Sequence, residues 1–174
     1  MIRPRRPADL PDLARVLRAQ QPRSRYPLRD PLPIPVEEFL HAHDAEAAWT
    51  AEVDGEIVGH VCRVGALDDD DAVAANALAA AAHGRPVGDL SWVSALFVAE
   101  VTRGTGLGRR LLDTVVADIA AAGRAACLEV LPVHAAAAAL YASTGWTEAG
   151  RVRPAWLRSE VGDAGPDVRV LVRP

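Results

Sequence analysis

Three glycines at alternate positions, Gly104, Gly106 and Gly108, lie between Arg103 and Arg109, just ahead of the apolar steps of a helix. Glycine inside a helix costs about 1 kcal/mol relative to alanine. Glycine at this spacing suits a place where bare backbone must come close to a ligand. Successive main-chain N–H groups at a helix N-terminus form an anion nest, and flanking guanidiniums add charge from the sides. The chemistry on offer is the grip of a diphosphate. Two other phosphate loops do not fit. A dinucleotide-binding turn needs G-x-G-x-x-G and an acidic residue about twenty positions on, and Walker A needs a lysine. All 19 basic residues here are arginine, which also excludes Schiff-base catalysis. A plain tight turn entering a packed helix is the alternative, but it needs neither a third glycine nor two arginines.

The elements that must position this loop follow from periodicity. Leu90–Val98 (LSWVSALFV) reads as a buried strand leading in. Thr105–Ala122 reads as an amphipathic helix leading out, with Leu107, Leu111, Val115 and Ile119 at steps of four. Ala126–Leu131 is another buried strand, after which Pro132 opens a helix through Thr144, closed by Gly145. Towards the N-terminus, a short strand at Ile2–Arg6 precedes a helix over Leu10–Ala19 capped by Asp9. The stretch QQPRSRYPLRDPLPIP is too rich in proline for helix or central strand, and its length suggests a functional loop. Val36–His43 is a short helix. Asp54-Gly55 between AAWTAEV and EIVGHVCRV is a strong hairpin signal.

The run LDDDD sits at the start of an alanine-rich helix stopped by Gly84, where carboxylates favour the positive end of the dipole; an acidic patch that recruits substrate is the other reading. TEAGRVRPAWLRSE and PDVRVLV read as a final pair of strands. The order β-α-α-β-β-α-β-α-β-α-β-β predicts one α/β domain over residues 1–174, with a parallel pairing in an otherwise antiparallel sheet.

With these contexts in place, Arg103-Gly104-Thr105-Gly106-Leu107-Gly108 resembles the Arg/Gln-x-x-Gly-x-Gly/Ala signature of the GNAT acetyltransferase superfamily. LEVLPVHAAAAALYASTGW is similar to that family's later strand and helix, ending in Leu-Tyr-x-x-x-Gly-aromatic. The resemblance implies a mostly antiparallel sheet of about seven strands, splayed at a central parallel pair and flanked by helices. It implies an acetyl-coenzyme A site in which the amides from Arg103 through Thr105, Leu107 and Gly108 to Arg109 hold the pyrophosphate. The backbone of Leu96, Phe97 and Val98 would pair with the pantetheine arm, which carries amides and can bind as an extra strand.

Attack of an amine on a thioester passes through a tetrahedral oxyanion, which a backbone N–H near Val98 could stabilise. Tyr141 matches the tyrosine that many relatives place beside the sulfur. Its phenol, with an ordinary pKa near 10 against about 8.5 for a thiol, is the candidate acid; a structural role is the alternative. His134 stands where the family usually has asparagine against the cofactor. It lies two helical turns, roughly 10 Å, before Tyr141. Ser94 replaces the glutamate that many relatives use as base, and a serine can at most hold a water. Asp89, Glu52, Glu129 and His60 are other candidate bases. His60 alternates with Val58, Cys62 and Val64 and fits a satisfied core histidine better. By resemblance, Gln21–Pro35 with Tyr26 roofs the acceptor pocket. Arg23, Arg25 and Arg29 make that loop basic, which suits an acceptor bearing a carboxylate.

The expected function is N-acetyltransfer from acetyl-coenzyme A to a small amine or amino-acid-like compound. The alternatives are acetylation of a macromolecular amine and a non-catalytic acyl-coenzyme A-binding module. A net charge of −4 argues against a nucleic-acid partner. Cys62 and Cys127 lack metal-ligand spacing and read as buried thiols. No stretch has signal-peptide or transmembrane length, so the expectation is a cytoplasmic protein without a membrane partner, with a homodimer left open.

Overall fold

The computed structural model describes residues 1–42, 45–66 and 70–174. The elements are β1 (Ile2–Pro4), α1 (Leu10–Ser24), α2 (Val36–His41), β2 (Ala45–Val53), β3 (Glu56–Gly65), α3 (Val73–His83), β4 (Leu90–Val98), α4 (Leu107–Ala121), β5 (Ala125–Val130), α5 (Ala135–Ala142), β6 (Thr147–Val152), α6 (Ala155–Val161) and β7 (Val168–Arg173). The strands form one mixed sheet in the order β1-β2-β3-β4-β5-β7-β6, antiparallel except for the β4–β5 pair and flanked by helices. The chain divides into two compact units, residues 1–64 with 93–118, and residues 65–92 with 119–174.

In the first unit, β2 and β3 form the expected hairpin. Asp54 and Gly55 both take left-handed φ, 51° and 83°, as a two-residue type I′ turn requires. Thr50 then pairs with His60, and β1 joins outside with Ile2 opposite Ala51. The apolar face of α1 (Leu13, Ala14, Val16, Leu17) packs with Leu40 and Phe97.

Helix α1 runs further than the prolines suggest, through Pro22 to Ser24. A proline there forfeits one helix bond. Gln20, buried to 2% exposure, holds the last turn instead, its Nε2 donating to Leu17 C=O at 3.2 Å and Tyr26 C=O at 2.7 Å. Helix α2 ends at His41; the expected end, His43, lies outside the described residues.

In the second unit, β7 pairs antiparallel with β5 and β6, with Cys127 opposite Val172 and Val152 opposite Val168. Both cysteines are buried thiols. Two expectations are corrected here. The segment TEAGRVRPAWLRSE is not one strand: β6 stops at Val152, Pro154 cannot donate to a ladder, and α6 follows with Leu157 fully buried. The acidic run does not enter the first turn of α3. Asp68 and Asp69 lie outside the described residues, and Asp71 accepts a 2.7 Å bond from the Ala155 N–H. That carboxylate therefore caps α6.

Candidate active site

The first unit carries the glycine loop and the strand before it. From Val93 onward burial alternates along β4: Ala95 and Phe97 are buried at 5% exposure, while Ser94, Leu96 and Val98 are partly exposed. Ala95 interrupts this extended run with φ 49°, a left-handed conformation that costs an alanine about 1–2 kcal/mol. Its carbonyl accepts a 3.0 Å bond from His60 Nδ1, and the His60 ring lies 5.7 Å from that of Phe97. His60 is fully buried. Desolvation first, and then the neighbouring Arg5 charge, hold its pKa down to about 4, against the favourable bond to Ala95. With Nε2 facing Arg5 at 3.3 Å, both ring nitrogens are engaged. His60 is the satisfied core histidine and not a base open to an amine.

Past Val98 the chain makes a 3-10 turn at Glu100–Thr102 and then the exposed loop 103–106. Thr102 Oγ1 donates to Ala99 C=O at 2.8 Å, and Thr105 Oγ1 to Thr102 C=O at 2.7 Å, so two hydroxyls brace the loop from inside. Gly104 and Gly106 take φ 78° and 81°, and a Cβ on either would meet nothing within 4 Å. Their role is conformational, since left-handed backbone on an open surface is where glycine is favoured. Gly108 lies in the first turn of α4. The helix starts at Leu107, two residues later than expected, because left-handed Gly106 cannot be helical. Its first bond runs from Arg110 N–H to Gly106 C=O at 3.0 Å. The amides of Leu107, Gly108 and Arg109 lie ahead of that bond, in the first turn, at the positive end of the dipole. Exposed main chain leading into the N-terminus of a 15-residue helix is of a kind that fits a diphosphate.

The loop is tied to α1. Arg103 Nη2 donates to Gln20 Oε1 at 3.1 Å, and Arg23 pairs with Glu100. Gln20 also holds the Tyr26 carbonyl, and the half-buried Tyr26 packs on the α1 core. Sequence reasoning missed Gln20; the signal was a polar residue three positions beyond Leu17 on an apolar helix face. Nearby, α1 and the proline-rich loop line a half-open cleft of about 370 Å³, with Leu17, Arg18, Gln21, Pro27, Arg29 and Asp30 among its walls.

The second unit carries the other two candidates. Tyr141 on α5 is buried at 7% exposure, its ring 6.0 Å from Trp146 in an edge-on arrangement. Burial pushes its pKa up to about 12. His134 is the residue before α5 and not inside it, as the helix expected from Pro132 begins only at Ala135. A turn closed by His134 N–H to Leu131 C=O at 3.0 Å takes up Pro132 and Val133. His134 thus leads into the helix that carries Tyr141. Of the other base candidates, Glu52 binds Arg3 and Asp89 binds Arg85, both at 3.2 Å.

Comparison with known proteins gives the family. Residues 44–148 match the family model described as acetyltransferase (GNAT) domain, and the chain belongs to the GNAT acetyltransferase family. It is an N-acetyltransferase that uses acetyl-coenzyme A. No curated protein matches the sequence. Among solved structures, the ribosomal-protein-S18-alanine N-acetyltransferase of Escherichia coli is 20% identical, with TM-score 0.67, over 100% of this chain and 92% of that one. A ribosomal-protein-alanine N-acetyltransferase from Brucella melitensis is 19% identical, with TM-score 0.70, over 99% and 98%. The Salmonella typhimurium protein yncA, solved with acetyl-CoA, is 15% identical, with TM-score 0.68, over 99% and 91%. Likeness at this level is a likeness of fold.

Proposed function

We propose that residues 1–174 act as a single cytoplasmic N-acetyltransferase domain that acetylates the primary amine of a small, amino-acid-like compound by direct attack in a ternary complex. The observation that carries this reading is the exposed loop with left-handed Gly104 and Gly106 at the start of α4. Its amides, from Arg103 to Arg109, hold the donor's diphosphate. The main chain of Leu96–Val98 holds the pantetheine arm, and His134 adds a side-chain contact. Acetyl-coenzyme A supplies an acetyl group activated as a thioester.

Tyr141 supports the leaving sulfur. A phenol with pKa near 12 stays protonated across the physiological range and donates a hydrogen bond to a developing thiolate. Complete transfer to a thiolate of ordinary basicity is uphill by about 3 to 4 units, so the bond, rather than an early ionisation, is the stabilising element. Ser94, partly exposed on β4, and Tyr26 face the acceptor side in this reading. The cleft beside α1 matches a small molecule in size, and Arg18 and Arg29 against the single carboxylate Asp30 in its lining favour an acceptor that carries a carboxylate.

One observation favours a second acceptor class: two structures of the same fold are named for acetylating a ribosomal-protein alanine. The test is thiol release from acetyl-coenzyme A against free amino acids, polyamines and an alanine-initiated peptide. Turnover on amino acids, with the peptide inert, is the expected result. Turnover confined to the peptide, or to polycations, overturns the small-acceptor reading.

A further inference from the structure

We propose that His60 is a positioning residue: its imidazole, held in one tautomer by Arg5, fixes the left-handed kink at Ala95 and thereby sets where the Leu96–Val98 main chain lies. The proposal rests on the reading of Leu96–Val98 as the donor-binding segment.

The tautomer follows from the neighbours. Arg5 Nη1 lies 3.3 Å from His60 Nε2, and a guanidinium only donates. Nε2 is therefore the acceptor, the ring proton sits on Nδ1, and Nδ1–H donates to Ala95 C=O at 3.0 Å. Arg5 is fixed in turn. Its guanidinium donates to Leu40 C=O and, at 2.9 Å, to His41 C=O, the last carbonyls of α2, while its backbone N–H bonds Ala48 C=O at 2.9 Å. A chain of hydrogen bonds thus links the end of α2, through Arg5 and His60, to the kink.

Three consecutive residues of β3 bracket the segment. His60 holds it at Ala95, before Leu96. Gly59 admits it closely, since a Cβ there would lie 3.0 Å from Phe97 O and 3.2 Å from a Val98 methyl. Val58 C=O accepts the Ala99 N–H at 2.6 Å, after Val98. A leucine at position 60 would fill comparable space with no buried polar atom to satisfy. The polarity of His60 is needed only by its two partners, and one of them is the strained residue next to the donor-binding main chain.

His60→Leu removes the donor, whereas His60→Asn places an amide N–H about where Nδ1–H stands. Both variants are compared with wild type, at a temperature where circular dichroism shows them folded, for kcat, for KM of donor and acceptor, and for the pH profile. His60→Leu is expected to lower kcat/KM for acetyl-coenzyme A at least ~10-fold, as misplacement of a binding segment does. The acceptor KM should change little, and His60→Asn should recover most of the loss with the pH profile unmoved. A folded His60→Leu enzyme with wild-type constants overturns the proposal. So does a His60→Asn enzyme with native stability but lost activity, or one whose profile loses its acidic limb, which would make His60 itself the base. If His60→Leu does not fold, His60→Asn alone decides. Amide hydrogen exchange of the wild-type protein with and without coenzyme A separates the two readings. No protection at residues 96–98 removes the donor segment and this proposal with it. Protection there beside an unaffected His60→Leu enzyme removes this proposal alone.

Discussion

Gln20 and Arg103, 83 residues apart in sequence, meet at 3.1 Å, the glutamine carbonyl accepting from the guanidinium. The same glutamine amide bonds the Tyr26 carbonyl, so one buried side chain joins the diphosphate loop to the segment proposed to face the acceptor. Gln20→Leu removes one donor from the Leu17 and Tyr26 carbonyls, at about 1–3 kcal/mol, and breaks the tie to Arg103. The expected outcome is a lower melting temperature, together with KM for acetyl-coenzyme A raised ~3- to 10-fold. Steady-state kinetics and thermal melts check it; lost stability with unchanged donor KM would confine Gln20 to the fold.

Tyr141→Phe removes the phenol and keeps the ring beside Trp146. Turnover is expected to fall on the order of 100-fold, the range for loss of a hydrogen-bond donor to a developing charge. Coenzyme A affinity and stability should be preserved. Unaltered kcat would take Tyr141 out of the chemistry.

Acid should weaken the fold in two windows. His60 is held down from 6.5 to about 4, so between these values the unfolded chain binds a proton that the folded chain refuses. Stability falls as pH drops through this interval, by on the order of 3 kcal/mol at most. Asp9, held from 3.8 to about 2 mainly by its bond to Arg3, contributes stability above pH 3.8 that is lost as pH falls towards 2. Denaturant titrations at pH 7.5, 5 and 3 measure both, and His60→Asn should flatten the first window only.

The close approach at Gly59 predicts a further stability effect. A Cβ there meets Phe97 O at 3.0 Å and a Leu111 methyl at 3.1 Å. Gly59→Val is expected to cost about 1–3 kcal/mol through overpacking, seen as an earlier denaturation midpoint. An unchanged midpoint would mean that β3 and the end of β4 are less closely apposed.

The sequence made some of this legible and not the rest, for physical reasons. Leu90–Val98 was readable as a strand because it is apolar and bounded by polar turns. The hairpin was readable because Asp54-Gly55 has few other uses. Helix α4 announced itself through its steps of four. Alanine at position 95 carries no sign of left-handed backbone, as its kink is imposed by His60 and not by its own preference. Arg5 looked like one more charge in an arginine-rich start, since its partners come from α2 and β3. Helix α6 was hidden by β-branched and aromatic residues on both sides of Pro154. The base is unassigned from residue types because Ser94 replaces the expected carboxylate.

The central claim is that the main-chain amides from Arg103 to Arg109 grip the diphosphate of the donor. Calorimetric titration of coenzyme A into the wild-type protein and into Gly106→Glu tests it most directly. The variant places a bulky anion on an exposed residue with φ 81°, where a side chain strains the loop by about 1–2 kcal/mol and its charge would repel a phosphate. The account predicts saturable heat with the wild type and none with the variant at equal helicity. Equal affinity in both would show that coenzyme A is held elsewhere.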